Sequence, residues 1–370
     1  MSCPFRTPLL AVALLASSAF AVPQYQIIDL GLVQAGDSAS QAFGISPNGI
    51  ATGRSLGSPT QAFRWTQGGG LEGLPNLASR SYAVGNGANN SGAVVGTAST
   101  TFFGSDPLPV IWQGGVATQL PLPAGESFGR AYGVNASNAA VGSVGAGTTE
   151  FGVLYQGGSA AILTQTAANG SFVRTAFGIN DSGRIVGFGI DPNNAAVNVG
   201  YVLDTATNTA FSVGALTAHG HNGAIAFGVG NGGHIVGSSM LNQGSGLPFI
   251  WTDAGGMVEI PLPTGTSQGS ARAVNASGWA VGTASSAFAI PFLYDGSQTY
   301  ALGDLLPAGS GWDLSTNTSS SAMGISDGGI IVGTGVHNGN TRAYAMVPVP
   351  EPATMAVLGL GAVALLRRRR

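Results

Sequence analysis

Small and large apolar residues alternate over four or five positions, break at a short polar turn and resume, and this unit recurs along the chain. Ala176 to Gly187, AFGINDSGRIVG, is the plainest copy: an apolar strand, a turn of Asn, Asp, Ser and Gly, and a second apolar strand. Turn residues of this kind accept positive φ or cap the chain cheaply, so each copy predicts a β-hairpin. Seven copies start at Ala42, Ala83, Ala131, Ala176, Ala226, Ala271 and Ala322, 41 to 51 residues apart, and the second carries two extra residues. Strict alternation puts Ala176 and Gly178 on one face of the first strand and Phe177 and Ile179 on the other. One face is small, the other large, and neither is polar, which suits a sheet packed between two others.

A second hairpin follows in most periods, starting at Ala62, Pro109, Phe151, Pro248 and Pro291, with a weaker form from Val199. Its aromatic position is Trp65, Trp112, Tyr155, Trp251 or Tyr294, with Leu203 in the weak form. Such regular placement marks these rings as core, not as an exposed sugar platform. Two hairpins make four strands per period, the content of a propeller blade. After the seventh copy only one strand remains, TRAYAMV from Thr341, and the missing strand stands at the other end, YQIIDLG from Tyr25. The expected fold is therefore all-β: a seven-bladed β-propeller of four-stranded blades over residues 22–349. The N-terminal strand completes the last blade, and the AFGIN strands are innermost. That phase shift clasps a ring and protects its sheet edges. The alternative, a β-solenoid, needs no shift and wants polar caps instead.

Composition changes the picture in two ways. Charged residues are 8 % of the chain, against an ordinary quarter or so, while 44 % are hydrophobic, enough to bury a core. All 13 cationic residues are arginine and the net charge is −3, so the body lacks the clustered cations that a nucleic-acid partner requires. The single cysteine, Cys3, precedes the body, which leaves the body without disulfide or thiolate chemistry.

The two ends read as address labels. Residues 1–21 carry Arg6, an apolar run from Leu9 to Leu15 and the small-residue pattern Ala19-Phe20-Ala21, a signal peptide cleaved after Ala21. Residues 350–370 carry Pro350, Glu351 and Pro352, then an uncharged stretch from Ala353 to Leu366, then Arg367, Arg368, Arg369 and Arg370. The stretch is shorter than the roughly 20 residues of an ordinary transmembrane helix. The arginines would hold it at the cytoplasmic side of the inner membrane. This order closely resembles the PEP-CTERM sorting signal of Gram-negative bacteria. The resemblance implies an exosortase partner that recognises the short transmembrane tail and removes it. The body is then released toward the cell envelope, the cell surface or the exopolysaccharide of a biofilm matrix. The repeats over residues 25–347 also resemble HAF-type extracellular repeats, with the His-Ala-Phe motif degenerate to QAFRW at Gln61 and TRAYA at Thr341. That resemblance implies an extracellular repeat protein and brings no activity with it.

Little in the sequence carries chemistry. His219 and His221 could share a strand face and are weak metal candidates, but no third ligand stands nearby. His234 and His337 are isolated. NDSGR from Asn180 and DPNN from Asp191 offer one Asp each, whereas calcium takes six or more oxygens. GNGGHIVG lies between strands and lacks the lysine of a phosphate loop. Glu126, Glu150, Asp181 and the other acids are scattered singly, there is no GxSxG, and the sequons at Asn135 and Asn275 coincide with hairpin turns. No catalytic residue and no cofactor is expected. The function expected is a non-enzymatic surface or matrix scaffold that binds exopolysaccharide or surface glycans through loops on one face of the ring. A lectin-like propeller and a propeller enzyme acting on polysaccharide are the alternatives.

Overall fold

The computed structural model describes residues 22–349 except 103 and 105; Ala19, Ala21, Pro350, Glu351, Pro352 and Arg367 to Arg370 lie outside the described residues. Seven antiparallel sheets stand in a ring. In the first blade, β2 (Ala39–Ile45), β3 (Ala51–Leu56), β4 (Gln61–Thr66) and β5 (Gly70–Gly73) pair in chain order, and the next five blades repeat this order. The first strands of adjacent blades touch all the way round, from β2 to Ser321–Ile325 and back to β2. The fold is a closed seven-bladed propeller with the repeated strand innermost.

The last blade is clasped. β1 (Tyr25–Asp29) runs antiparallel to Asn340–Pro348 at its outer edge, with Tyr25 opposite Pro348 and Asp29 opposite Tyr344. Asp29 Oδ2 lies 2.8 Å from His337 Nδ1. The His337 ring stacks flat on Trp312, with centroids 4.6 Å apart. Trp312 belongs to a two-residue strand, Trp312–Asp313, that extends the inner edge of this blade by pairing with His337 and Val336. Three distant segments thus meet at one imidazole.

Strict alternation in the first strand is not what the structure contains. In every blade this strand has a β-bulge, and in the fourth Phe177 is the extra residue between Ala176, opposite Gly187, and Gly178, opposite Val186. The second copy is corrected with it. Its bulge falls between Gly85 and Gly87, so it starts at Gly85 with no insertion, and Ala83 belongs to the preceding stretch. The bulge also explains the glycine that ends each copy. A Cβ on Gly142 would sit 1.8 Å from the Arg130 carbonyl oxygen, and the equivalents Gly53, Gly96 and Gly237 would each meet a carbonyl at 1.9 Å. A bulge pushes the backbone into the space a side chain would occupy.

The turns between first and second strands are equally uniform. Their fourth residue has positive φ in all seven copies: Gly49, Gly92, Asn138, Gly183, Gly233, Gly278 and Gly329. Asn138 replaces glycine in the third copy because asparagine tolerates the left-handed region. Asn135 caps its turn by accepting from the backbone N–H of Ser137 and Ala139 at 3.1 and 3.0 Å. Asn89 and Asn275 do the same in their own copies.

The core lies between blades. Trp65, 4 % exposed, packs with Val332 and Ala345 of the last blade, and Trp112 packs with Ala62 of the first. Size is matched across strands: Trp65 faces Ala51 and Tyr155 faces Ala140, whereas Leu203 faces Ile185. Each sheet is thus kept at nearly constant thickness, as close packing demands. Trp251 and Tyr294 are half-buried at the rim of the same interfaces.

Candidate functional site

The strand order gives the ring two unlike faces. The first-to-second and third-to-fourth hairpins open on one, the turn face, and all are short. The other, the loop face, carries the unequal connections, among them residues 163–172, 213–222 and 302–320. The varying repeat length is therefore spent almost entirely on one side of the molecule.

On the turn face the caps are linked in a belt. Nδ2 of Asn89 donates to the Asn135 carbonyl at 2.9 Å, Asn135 to Asn180 at 3.2 Å, and Asn180 to Gly230 at 3.2 Å. Asn275 donates to Ser326 at 3.3 Å, and the Asp327 amide reaches the Pro47 carbonyl at 2.9 Å. Asp181 accepts from the amide of Ala136 at 2.7 Å and from Asn231 at 2.8 Å; Asp327 accepts from Ala276 at 2.9 Å. These two carboxylates tie blades together, which accounts for Asp181 without calcium.

The bulges aim one residue per blade at the axis: Phe43, Asn86, Tyr132, Phe177, Phe227, Arg272 and Met323. All seven are half-buried. Six of them line an axial cavity of about 210 Å³ that extends to the Asn and Asp belt. Tyr132 meets Phe177 edge-on at 5.5 Å, and Phe177 meets Phe227 at 5.4 Å. Arg272 lies over the Phe227 ring, 4.0 Å from its centroid. Burial pulls the Arg272 guanidinium below its ordinary range. A second pocket, about 260 Å³, lies between the fifth and sixth blades and shares Phe227 and Arg272 with the first. It is walled by hydroxyls and opens among strand ends on the loop face. Sequence reasoning missed this ring because alternation alone does not show a bulge. The one available signal was Arg272 at a position that is otherwise uncharged.

The other residues singled out from sequence are not gathered there. His219 ends a short 3₁₀ turn, Thr217–His219, and contacts Glu259 at 2.8 Å, while His221 contacts Ser239 Oγ at 3.2 Å. Among the described residues no group of three or more His, Cys, Asp or Glu is placed to hold a metal. Glu150 pairs with Arg130 at 2.9 Å, Asp253 with Arg184 at 2.8 Å, and Asp191 caps its own turn. Among the described residues no helix is long and apolar enough to cross a membrane. The apolar stretch from Ala353 to Leu366 lies outside them.

Fold and site together define a seven-bladed propeller with an axial, partly aromatic cavity. Residues 348–370 match the PEP-CTERM protein-sorting motif. The motif implies export across the inner membrane of a Gram-negative cell, targeting to an exosortase, and an envelope or extracellular location. No curated protein matches the chain. Among solved structures, YCF48 bound to a D1 peptide is similar at a TM-score of 0.50 and 10 % identity, covering 90 % of this chain and 98 % of that one. A prolyl endopeptidase is similar at 0.50 and 10 %, over 85 % of this chain and 50 % of that one. Virginiamycin B lyase from Staphylococcus aureus reaches 0.44 and 11 %, over 88 % and 100 %. At these identities the likeness is one of fold, and the fold is shared by enzymes and binding proteins alike.

Proposed function

We propose that the protein is a non-enzymatic scaffold of the cell surface or exopolysaccharide matrix, exported after cleavage at Ala21 and trimmed near Pro350 to Pro352. It binds matrix glycan through the loop face. The observation that carries this reading is the asymmetry of the ring. One face is a belt of near-identical turns whose polar groups bond to one another, and the other presents unequal loops and the pocket between the fifth and sixth blades. Variable connections on a rigid ring are where binding residues are carried. The carboxylates support a non-catalytic role, because most are engaged in pairs, caps and the turn belt instead of converging at a reacting centre. Glycoside hydrolysis needs two free carboxyl groups about 5–9 Å apart. The HAF-type likeness of the repeats and the sorting motif belong to the same extracellular reading.

Co-sedimentation of the protein with host exopolysaccharide, with the supernatant analysed for oligosaccharides, tests the function. Retention without products is expected. Released oligosaccharides that disappear when one or two carboxylates are changed would replace the scaffold with an enzyme. Intact mass of protein recovered from the host should show both ends removed, and retained terminal arginines would refute the trimming.

A further inference from the structure

We infer that the loop-face pocket between the fifth and sixth blades binds a uronic acid unit of an acidic polysaccharide, with Arg272 taking the sugar carboxylate and the pocket's hydroxyl and amide groups the sugar hydroxyls. This rests on the glycan-binding reading above and names the class of glycan.

The charge inventory points to Arg272. Arg64, Arg80, Arg130 and Arg184 are each paired with a carboxylate, Arg54 is held by Gln41 and the Tyr82 hydroxyl, and Arg342 donates to the Ser38 and Thr341 carbonyls. Arg272 has the Phe227 ring beneath it and, among the described residues, no hydrogen-bond acceptor or carboxylate. Among the described residues Arg174 also lacks a polar partner and stacks on Phe172, but it lines neither the axial cavity nor the loop-face pocket. A guanidinium carries five N–H donors in a planar fork. Desolvating it without a counter-ion is costly, and an anionic ligand relieves that cost. Its lowered pKa has burial as the sole cause, which agrees with the lack of a nearby carboxylate.

The walls select among anions. Ser238, Gln268, Ser270 and Ser285 line the pocket along with the arginine. Ser238 donates to the Gly269 carbonyl at 3.2 Å and Gln268 Nε2 to Ser285 Oγ at 3.2 Å, so the Ser238 lone pairs and Gln268 Oε1 stay available. Hydroxyls and an amide in the same pocket as a guanidinium suit a ring that bears both a carboxylate and hydroxyl groups. The fork suits a carboxylate bidentately. A bare phosphate would use the arginine but offers few donors for the free acceptors, the Ser238 lone pairs and Gln268 Oε1. The volume, about 260 Å³, fits one sugar ring at a chain end or branch.

The test is calorimetric titration of the full protein with glucuronate, using glucose, acetate and inorganic phosphate as separate probes. Glucuronate should bind at least tenfold more tightly than glucose or acetate. R272Q should weaken glucuronate by about tenfold or more, as expected for loss of a charge-assisted pair, with glucose unchanged. R272K keeps the charge without the fork and should fall between, which preserves the test if R272Q does not fold. Equal binding of glucuronate and acetate, preference for phosphate, or unaltered affinity in the arginine variants would each overturn the proposal. If glucuronate fails to bind while exopolysaccharide is still retained, the uronate site falls and the scaffold reading stands. If exopolysaccharide is not retained but glucuronate binds, the reverse holds.

Discussion

Replacing Asn135 probes the inter-blade belt where its parts can be separated. The side chain is 6 % exposed. It accepts from the Ser137 N–H at 3.1 Å, the Ser137 hydroxyl at 2.8 Å and the Ala139 N–H at 3.0 Å, and donates to the Asn180 carbonyl at 3.2 Å. Asn135→Ala loses all four. The Ser137 groups turn to water at little cost and the Asn180 carbonyl keeps its 3.0 Å bond from the Gly183 N–H, whereas the Ala139 amide is left in the interior. At about 1 kcal/mol net per bond, more for a group left buried, the loss is about 2–4 kcal/mol. The chain supplies its own control. Ser46 and Ser326 hold the same cap position and accept from Ile50 and Ile330, each at 2.9 Å, with no amide to reach the next blade. Asn135→Ser should therefore keep the cap and lose only the donor, costing about 1–2 kcal/mol. Urea unfolding followed by tryptophan fluorescence measures both. A loss below about 0.5 kcal/mol from the Ser variant, which lacks only the inter-blade donor, would refute the belt as an energetic link, and equal losses from the two variants would deny the cap.

Other perturbations test separate parts of the structure. Gly142→Ala forces a Cβ to within 1.8 Å of the Arg130 carbonyl, so the strands must part; a loss of about 3 kcal/mol or more in the same assay is expected, and a neutral result would refute the bulge. Deleting Tyr25 to Leu30 removes the outer strand paired with Asn340–Pro348 and should expose its edge, giving aggregation and a markedly lower melting temperature; unchanged melting would deny the clasp. Burial raises the Asp313 pKa, but bonds from the Ser315 and Thr316 amides and the Thr316 hydroxyl outweigh it and hold the carboxyl down at about 2. Its folded value lies below its unfolded one, so its stabilisation is complete above about pH 4 and lost as pH falls toward about 2. The exposed setting limits the effect to about 1 kcal/mol or less, and Asp313→Ala should flatten that part of the acid-denaturation curve.

The architecture was legible in the sequence because seven copies serve as their own alignment. The turn glycines, the Trp65 and Trp112 positions and the closing strand at Tyr25 each follow from one repeat compared with the next. What strict alternation could not reveal was the bulge. One extra residue per inner strand turns Phe43, Phe177 and Phe227 from a sheet face toward the axis, and that alone creates the axial ring. The site was illegible for the same reason. Arg272 and Phe227 are separated in sequence by a full repeat, and their contact depends on two bulges in adjacent blades. The His337–Asp29 contact joins residues from opposite ends of the body, and no local pattern predicts it. His219 and His221 were conspicuous by spacing, yet each found an ordinary polar neighbour.

Hydrogen–deuterium exchange of the protein with and without host exopolysaccharide tests most directly whether the loop face is the binding surface. Protection is expected at Gln268–Val274, which carries Arg272, and in the connections 213–222 and 302–320. The turns 46–50, 89–93 and 135–139 should exchange unchanged. Protection confined to those turns or to the outer strands, or no protection beside retained polysaccharide, would contradict the account.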